Sequence, residues 1–356
     1  MKFVTGIMAV LIMAVSCKKE EGVIPPPDAD LKKRNMLILN EGLLNMNNAS
    51  ISLYNIEEEK IVTNDFFTLQ NKRGLGDTGT DMVRYGSKIY IVVNISSQVE
   101  VIDASGKSIK QIPLFSEASR PRQPRYITFS ANKAYVCCFD GTVARIDTAS
   151  LEVEAITHVG RNPDGICVSG NKLYVSNSGG LDFPDYDKTV SVVDIATFKE
   201  IKKIEVRINP YTIAADHYGD VYVVSRGNYS NIKYCLQRID TQTDQLAQTF
   251  DNLETLNFSI CKDKAYCYNY DFIHKTSSFK ILNVKTEQLE TEQFITDGTT
   301  LTTPYGINVD PDNEDVYITD AHNFTVSGDV YCFDKQGKKK FSVEAGLNPV
   351  KIVFTK

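Results

Sequence analysis

Polar and aromatic side chains recur along this 356-residue chain at intervals and do not gather into one compact motif. Asn40, Asn94, Asn177, Arg226, Asn269 and Asp320 each close an apolar run rich in Tyr, Val and Ile. A second series, Arg125, Tyr126, Asp164, Tyr211, Asn257 and Tyr305, opens such runs, four of its members directly behind a proline. Longer segments add Phe183, Tyr186, Tyr229, Tyr270, Phe272, His322 and Phe324. Amides donate and accept hydrogen bonds at once, and aromatic faces cover apolar surface. Gathered on one surface, these groups suit a large neutral ligand fringed with amides or hydroxyls. The same asparagines can instead cap strand ends and satisfy local backbone.

Bond-breaking chemistry has less to work with. His158, His217, His274 and His322 are scattered, with neither H-x-H nor H-E-x-x-H spacing. A G-x-S-x-G elbow and a P-loop are absent from the sequence. No double CxxC of a zinc site occurs. The expectation is a protein without catalytic residues, metal or cofactor. A formal charge of -6 leaves no electrostatic footprint for nucleic acid.

The first sixteen residues read as an export signal. Lys2 is its positive end, and the apolar run of residues 7–15 is too short for a permanent span. Ala14, Val15 and Ser16 before Cys17 resemble a bacterial lipoprotein cleavage box, which implies lipidation of Cys17. Each buried methylene of such an anchor contributes about 0.8 kcal/mol. Residues 17–34 then form a tether. Its Lys18-Lys19-Glu20-Glu21 resembles the acidic tag of lipoproteins displayed on the outer face of some gut anaerobes, and Pro25-Pro26-Pro27 favours an extended chain. The remaining cysteines, Cys137, Cys138, Cys167, Cys235, Cys261, Cys267 and Cys332, are odd in number and sit in apolar runs. They read as small buried hydrophobes.

What must position the polar series is a repeat. Tyr90, Tyr135, Tyr174, Tyr222, Tyr266 and Tyr317 mark six copies and Leu37 a degenerate seventh, at spacings of 39 to 53 residues. That period is one four-stranded propeller blade. Within each copy a short strand leads through a tight turn to the strand bearing the tyrosine. A loop of variable length then precedes a β-branched strand ending in Asn55, Asp103, Asp147, Asp194, Asp240, Asn283 or Asp334. Such a side chain accepts from backbone two residues on and fixes a turn. Pro124, Pro163, Pro210, Pro304 and Pro349 open the innermost strands, where a missing N–H is tolerated; Gly79 and Thr255 take that slot in the other two complete copies.

The first copy supplies three strands between Met36 and Val62, and the chain finishes on a lone innermost strand from Pro349. The prediction is an all-β, seven-bladed propeller over residues 35–356, closed by a C-terminal strand that completes the N-terminal blade and removes open sheet edges. The polar series would then line a deep bowl on the face that carries the variable loops.

The stretches NPDGICV, NPYTIAA, NPVKIVF, VEVID, VARID and VSVVD resemble those of the YncE-like seven-bladed propellers over residues 35–356. With the lipoprotein box and acidic tag, the chain resembles more narrowly the surface lipoproteins that capture vitamin B12-type corrinoids. That resemblance implies a corrinoid ligand, lipid anchorage in the outer membrane facing the exterior, and transfer to a TonB-dependent transporter. No short motif carries ligand contacts across. A glycan- or protein-binding adhesion propeller needs similar surface groups. A propeller lactonase would need Glu41, Asn94, Asn177 and Asp320 around a cation, yet these asparagines recur as part of the repeat. Quinone-cofactor propellers usually carry tryptophan-bearing blade motifs, and this chain has no tryptophan.

Overall fold

The computed structural model describes residues 34–356. The export signal, Cys17 and all of the tether but Arg34 lie outside the described residues. Seven antiparallel four-stranded sheets follow one another along the chain as blades. The innermost strand of the first blade is the last of the chain: Pro349–Phe354 pairs with Asn35–Asn40, from Met36 opposite Phe354 to Asn40 opposite Pro349. Backbone bonds from Glu41 to Asn348 (2.9 Å) and from Thr355 to Asn35 (3.0 Å) extend the seam at both ends.

Period-two alternation explains the ring. Each strand shows one face to the blade before and one to the blade after, so the core divides into seven apolar clusters, each shared by two neighbours. The six marker tyrosines lie in the six clusters that join blades 2 through 7 and back to blade 1. All are buried. Truncating one to Ala would cost about 3 kcal/mol or more through cavity formation. No marker tyrosine reaches the cluster between blades 1 and 2, which has Leu37 instead. A short helix, Phe66–Asn71, fills that space with Phe66 and Phe67, both fully buried. Sequence reasoning did not anticipate this helix. Gly106, at φ +82°, is what admits it, since a Cβ there would stand 2.5 Å from the Phe66 ring.

The seven turn formers behave as the spacing predicts. Asp103 accepts from Ser105 N–H (2.8 Å), Asp240 from Gln242 (2.8 Å) and Asn283 from Lys285 (2.9 Å). Asn55, Asp147, Asp194 and Asp334 do the same two or three residues on. The five prolines each begin an innermost strand, as does Gly79. Thr255 instead falls just ahead of its strand, which starts at Asn257. The seven cysteines of the described residues are all free and buried; burial is the largest cause that pushes the Cys137 and Cys267 thiols up to about 12.

A β-bulge follows the slot residue in every blade but the sixth. Two residues on the inner strand there oppose one on its neighbour, which re-aims a side chain. Four of those re-aimed positions are Arg125, Asp164, Tyr211 and Tyr305. The inner strands also crowd: a Cβ on Gly165 would meet the Tyr211 carbonyl at 2.4 Å.

Candidate ligand site on the loop face

These four bulge residues meet at one end of the ring axis. Asp164 is 3% exposed and takes two guanidinium groups, Arg125 Nε at 2.8 Å on one oxygen and Arg226 Nη2 at 2.9 Å on the other. Each arginine lies over an aromatic ring, Arg226 4.0 Å from the centroid of Tyr211 and Arg125 4.6 Å from that of Phe139. Asn209, fully buried, accepts a further bond from Arg226 at 3.3 Å. The hydroxyls of Tyr126 and Tyr211 stand 2.7 Å apart. Across the axis, Tyr305 donates its hydroxyl to Glu41, and Tyr268 donates to the Tyr305 carbonyl at 2.6 Å.

These groups fill the floor of the expected bowl. The expected deep bowl open along the axis is therefore corrected: a polar plug closes its centre. Under the plug runs an axial cavity of about 270 Å³ lined by the inner strands of all seven blades, with Asp81, Asn257, Asn308 and Lys351 among its polar groups. Burial raises the Glu41 carboxyl above its ordinary value, while the Tyr305 hydroxyl and the nearby Arg125 oppose that shift. Burial raises the Tyr126 and Tyr305 phenols as well.

The asparagine series divides. Asn40 is fully buried, its amide donating to Ser50 and Ser52 and its oxygen accepting from Gly346. Asn177 repeats that pattern with Thr189, Ser191 and Gly160. Asp320 accepts from the backbone of Thr302, Thr303 and His322. Asn94 donates to the Pro124 carbonyl. These four side chains hold strand ends. Each of Glu41, Asn94, Asn177 and Asp320 is engaged separately, Glu41 with Tyr305, Asn94 with Pro124, Asn177 with Thr189 and Ser191, and Asp320 with Thr302 and Thr303. Asn257 accepts from Thr212 and faces the axial cavity. His322 sits off the axis, 3.1 Å from Asp329.

Two concavities of this face lie off-axis: one of about 420 Å³ between the loops of blades 3 and 4, with Phe139, Arg161 and Asp182 among its walls, and an aromatic-walled one between the long loops of blades 5 and 6. The latter is about 300 Å³, and Arg226, Tyr229, Tyr234, Asn269, Tyr270 and Phe272 are among its walls. Asn269 Oδ1 is buried there without a partner, and its amide reaches Glu254 at 3.3 Å. Rings continue outward from the cleft: Tyr234 to Tyr229 at 6.3 Å, Tyr229 to Tyr186 at 6.1 Å, and Tyr186 to Phe183 at 6.0 Å between centroids. Tyr270 and Phe272 pack edge to face at 4.8 Å on the opposite wall.

Sequence reasoning missed Phe139 and Asn209 and treated Glu41 only as a cation ligand. The signal was register. Asn40 and Asn177 pair with the proline slot and turn away, whereas Glu41, Phe139 and Arg226 stand one residue later. A one-residue step reverses the face.

Exposed apolar groups are unevenly placed. Of fifteen large exposed hydrophobic side chains, eleven stand on this face, among them Leu44, Met46, Leu181, Phe183, Phe272, Ile273 and Phe324, so the loop face is the one built to meet something. A rigid ring with a structured, partly apolar loop face is the architecture of a binding or scaffold protein in general.

The chain belongs to the family described as a domain of unknown function, DUF5074, which it matches over residues 34–354. No curated protein matches it. Among solved structures, a quinoprotein alcohol dehydrogenase-like protein from Bacteroides thetaiotaomicron is similar at TM-score 0.66 and 14% identity, over 92% of this chain and 79% of that one. Hydrazine synthase from Kuenenia stuttgartiensis is similar at 0.57 and 16%, over 70% and 74%. The computationally designed Ika8 protein is similar at 0.57 and 13%, over 88% and 89%. At such identities these likenesses speak for the fold alone.

Proposed function

We propose that the protein is a non-enzymatic surface lipoprotein of the outer membrane, anchored through Cys17, that captures a corrinoid at its loop face and passes it to a TonB-dependent transporter. One observation carries the reading: a run of aromatic rings from Phe183 to Tyr234, with Tyr270 and Phe272 opposite, borders a cleft beside hydrogen-bonding groups. A corrinoid is a broad, flat-faced ring fringed with amides. Aromatic walls would cover its faces, and Asn269, with an unsatisfied buried oxygen, would take an amide N–H. The apolar loop tips around the rim would meet the transporter.

Absorbance titration with cyanocobalamin tests the reading. Saturable binding at micromolar concentration or tighter is expected, weakened by Tyr229→Ala and Phe272→Ala with the melting temperature unchanged. Absence of binding at that concentration ends it.

A second reading, glycan binding, draws on the blade 4 loop. There Asp182 and Asp185 hold Arg161 at 2.9 and 3.4 Å, next to Phe183 and Tyr186. Carboxylates beside an aromatic plane also suit sugar hydroxyls. Binding of a neutral oligosaccharide that the Phe183→Ala and Asp182→Asn variants lose, with none of cyanocobalamin, would favour it.

A further inference from the structure

The axial plug holds more positive charge than its internal contacts use. Two guanidinium groups share the single carboxylate of Asp164, whose two oxygens are both taken. Each guanidinium has five N–H donors. Arg125 gives only Nε to a protein acceptor. Arg226 gives Nη2 to Asp164 and Asn209, and its Nε, shut off from solvent, has no acceptor. The other carboxyl of the plug, Glu41, bonds to Tyr305 and makes no ion pair with either arginine. Burial inclines it toward its neutral form.

The arginines are also held in place. Stacking on Tyr211 and Phe139 fixes both planes, and their side chains remain 18% and 15% exposed on the loop face. A planar fork held rigidly and facing outward suits bidentate contact with an oxyanion, because little side-chain freedom is left to lose. A charged group left short of acceptors is costly, and closing the axis alone gains nothing from that cost.

We infer that Arg125, Asp164 and Arg226 form an oxyanion receptor, which takes a phosphate or carboxylate group of the ligand through the unused edges of the two guanidiniums. Asp164 sets their spacing and competes with the incoming anion. The inference rests on the loop-face reading and adds the charged group that the ligand must carry.

The test uses the full-length protein at constant ionic strength and compares dicyanocobinamide with its phosphate ester. The ester should bind about tenfold tighter, a difference of about 1.4 kcal/mol. Arg226→Gln should erase that preference, and Asp164→Asn should enlarge it by freeing both guanidiniums. If Arg226→Gln fails to fold, Asp164→Asn still decides, since loss of a merely structural ion pair would not tighten anion binding. Equal affinity for the two corrinoids in the wild type overturns the inference and leaves corrinoid capture standing. If neither corrinoid binds, corrinoid capture fails, and dimethyl phosphate and acetate decide the receptor separately. A saturable rise in melting temperature, larger in Asp164→Asn, supports it, and the anion with the larger rise separates phosphate from carboxylate. No rise with either anion overturns it.

Discussion

At the end of the ring where the chain enters and leaves, every blade repeats one short turn; at the opposite end no two blades carry the same loop. The turn end is latched from blade to blade by ions. Lys172 reaches Asp244, Arg238 reaches Glu287, Lys262 reaches Glu314, and Arg34 reaches Asp310, each joining one blade to the next. Arg34 also lies 4.2 Å from the Phe354 ring centroid and bonds the Lys356 carbonyl at 3.2 Å, so one side chain pins both ends of the fold. The loop end instead keeps unused donors on its axis and apolar side chains at its tips. The same strands therefore carry two jobs at opposite ends: cohesion where the turns repeat, recognition where the loops differ.

Ring closure is where this contrast is easiest to break. Removal of residues 349–356 takes the inner strand from blade 1 and exposes the edge of Asn35–Asn40. Loss of soluble folding is expected by size-exclusion chromatography and circular dichroism, and an unchanged melting temperature would contradict closure by this strand. Next in size comes Arg34→Ala. It strands the Asp310 carboxylate, which is 1% exposed, and should cost about 2 kcal/mol in urea unfolding, less than a fully buried pair because Arg34 keeps some contact with solvent.

Glu41→Gln sharpens the comparison from the loop side. A carboxyl whose folded pKa is raised favours the fold most below its unfolded value, here 4.5, and loses that contribution as pH rises through the raised value. Wild-type stability should therefore fall more than that of Glu41→Gln between pH 5 and pH 8, and parallel profiles from thermal melts would show that Glu41 is not held in this way. The smallest expected effect is at the tips. Phe272→Ala and Ile273→Ala remove side chains that are 52% and 84% exposed and should change stability by less than about 0.5 kcal/mol. A larger loss would mean that the tips serve cohesion after all.

Much of the turn end was legible before any coordinates, because its rules are local. An Asp or Asn two or three residues before the backbone N–H it accepts reads directly from spacing, and all seven such residues fix their turns in this way. The loop end depends on register and on chain segments far apart. Arg125, Asp164 and Arg226 belong to three different blades and meet because the ring curves and because bulges turn the first two toward the axis. Asn40 and Asn177 looked like bowl residues from their recurrence, yet one step of register commits them to strand ends. The helix with Phe66 and Phe67 was also hidden, since the gap it fills arises only where a blade bearing Leu37 meets its neighbour.

The order of residues alone determined that the chain makes seven similar blades and that the last strand must complete the first, since period, alternation and turn chemistry act over a few residues and repeat. Only the tertiary structure decided that the axis is plugged, that the plug carries two arginines on one carboxylate, and that an aromatic-walled cleft lies between blades 5 and 6. Those outcomes depend on where side chains from separate blades meet, and on how many donors remain unused once they have met.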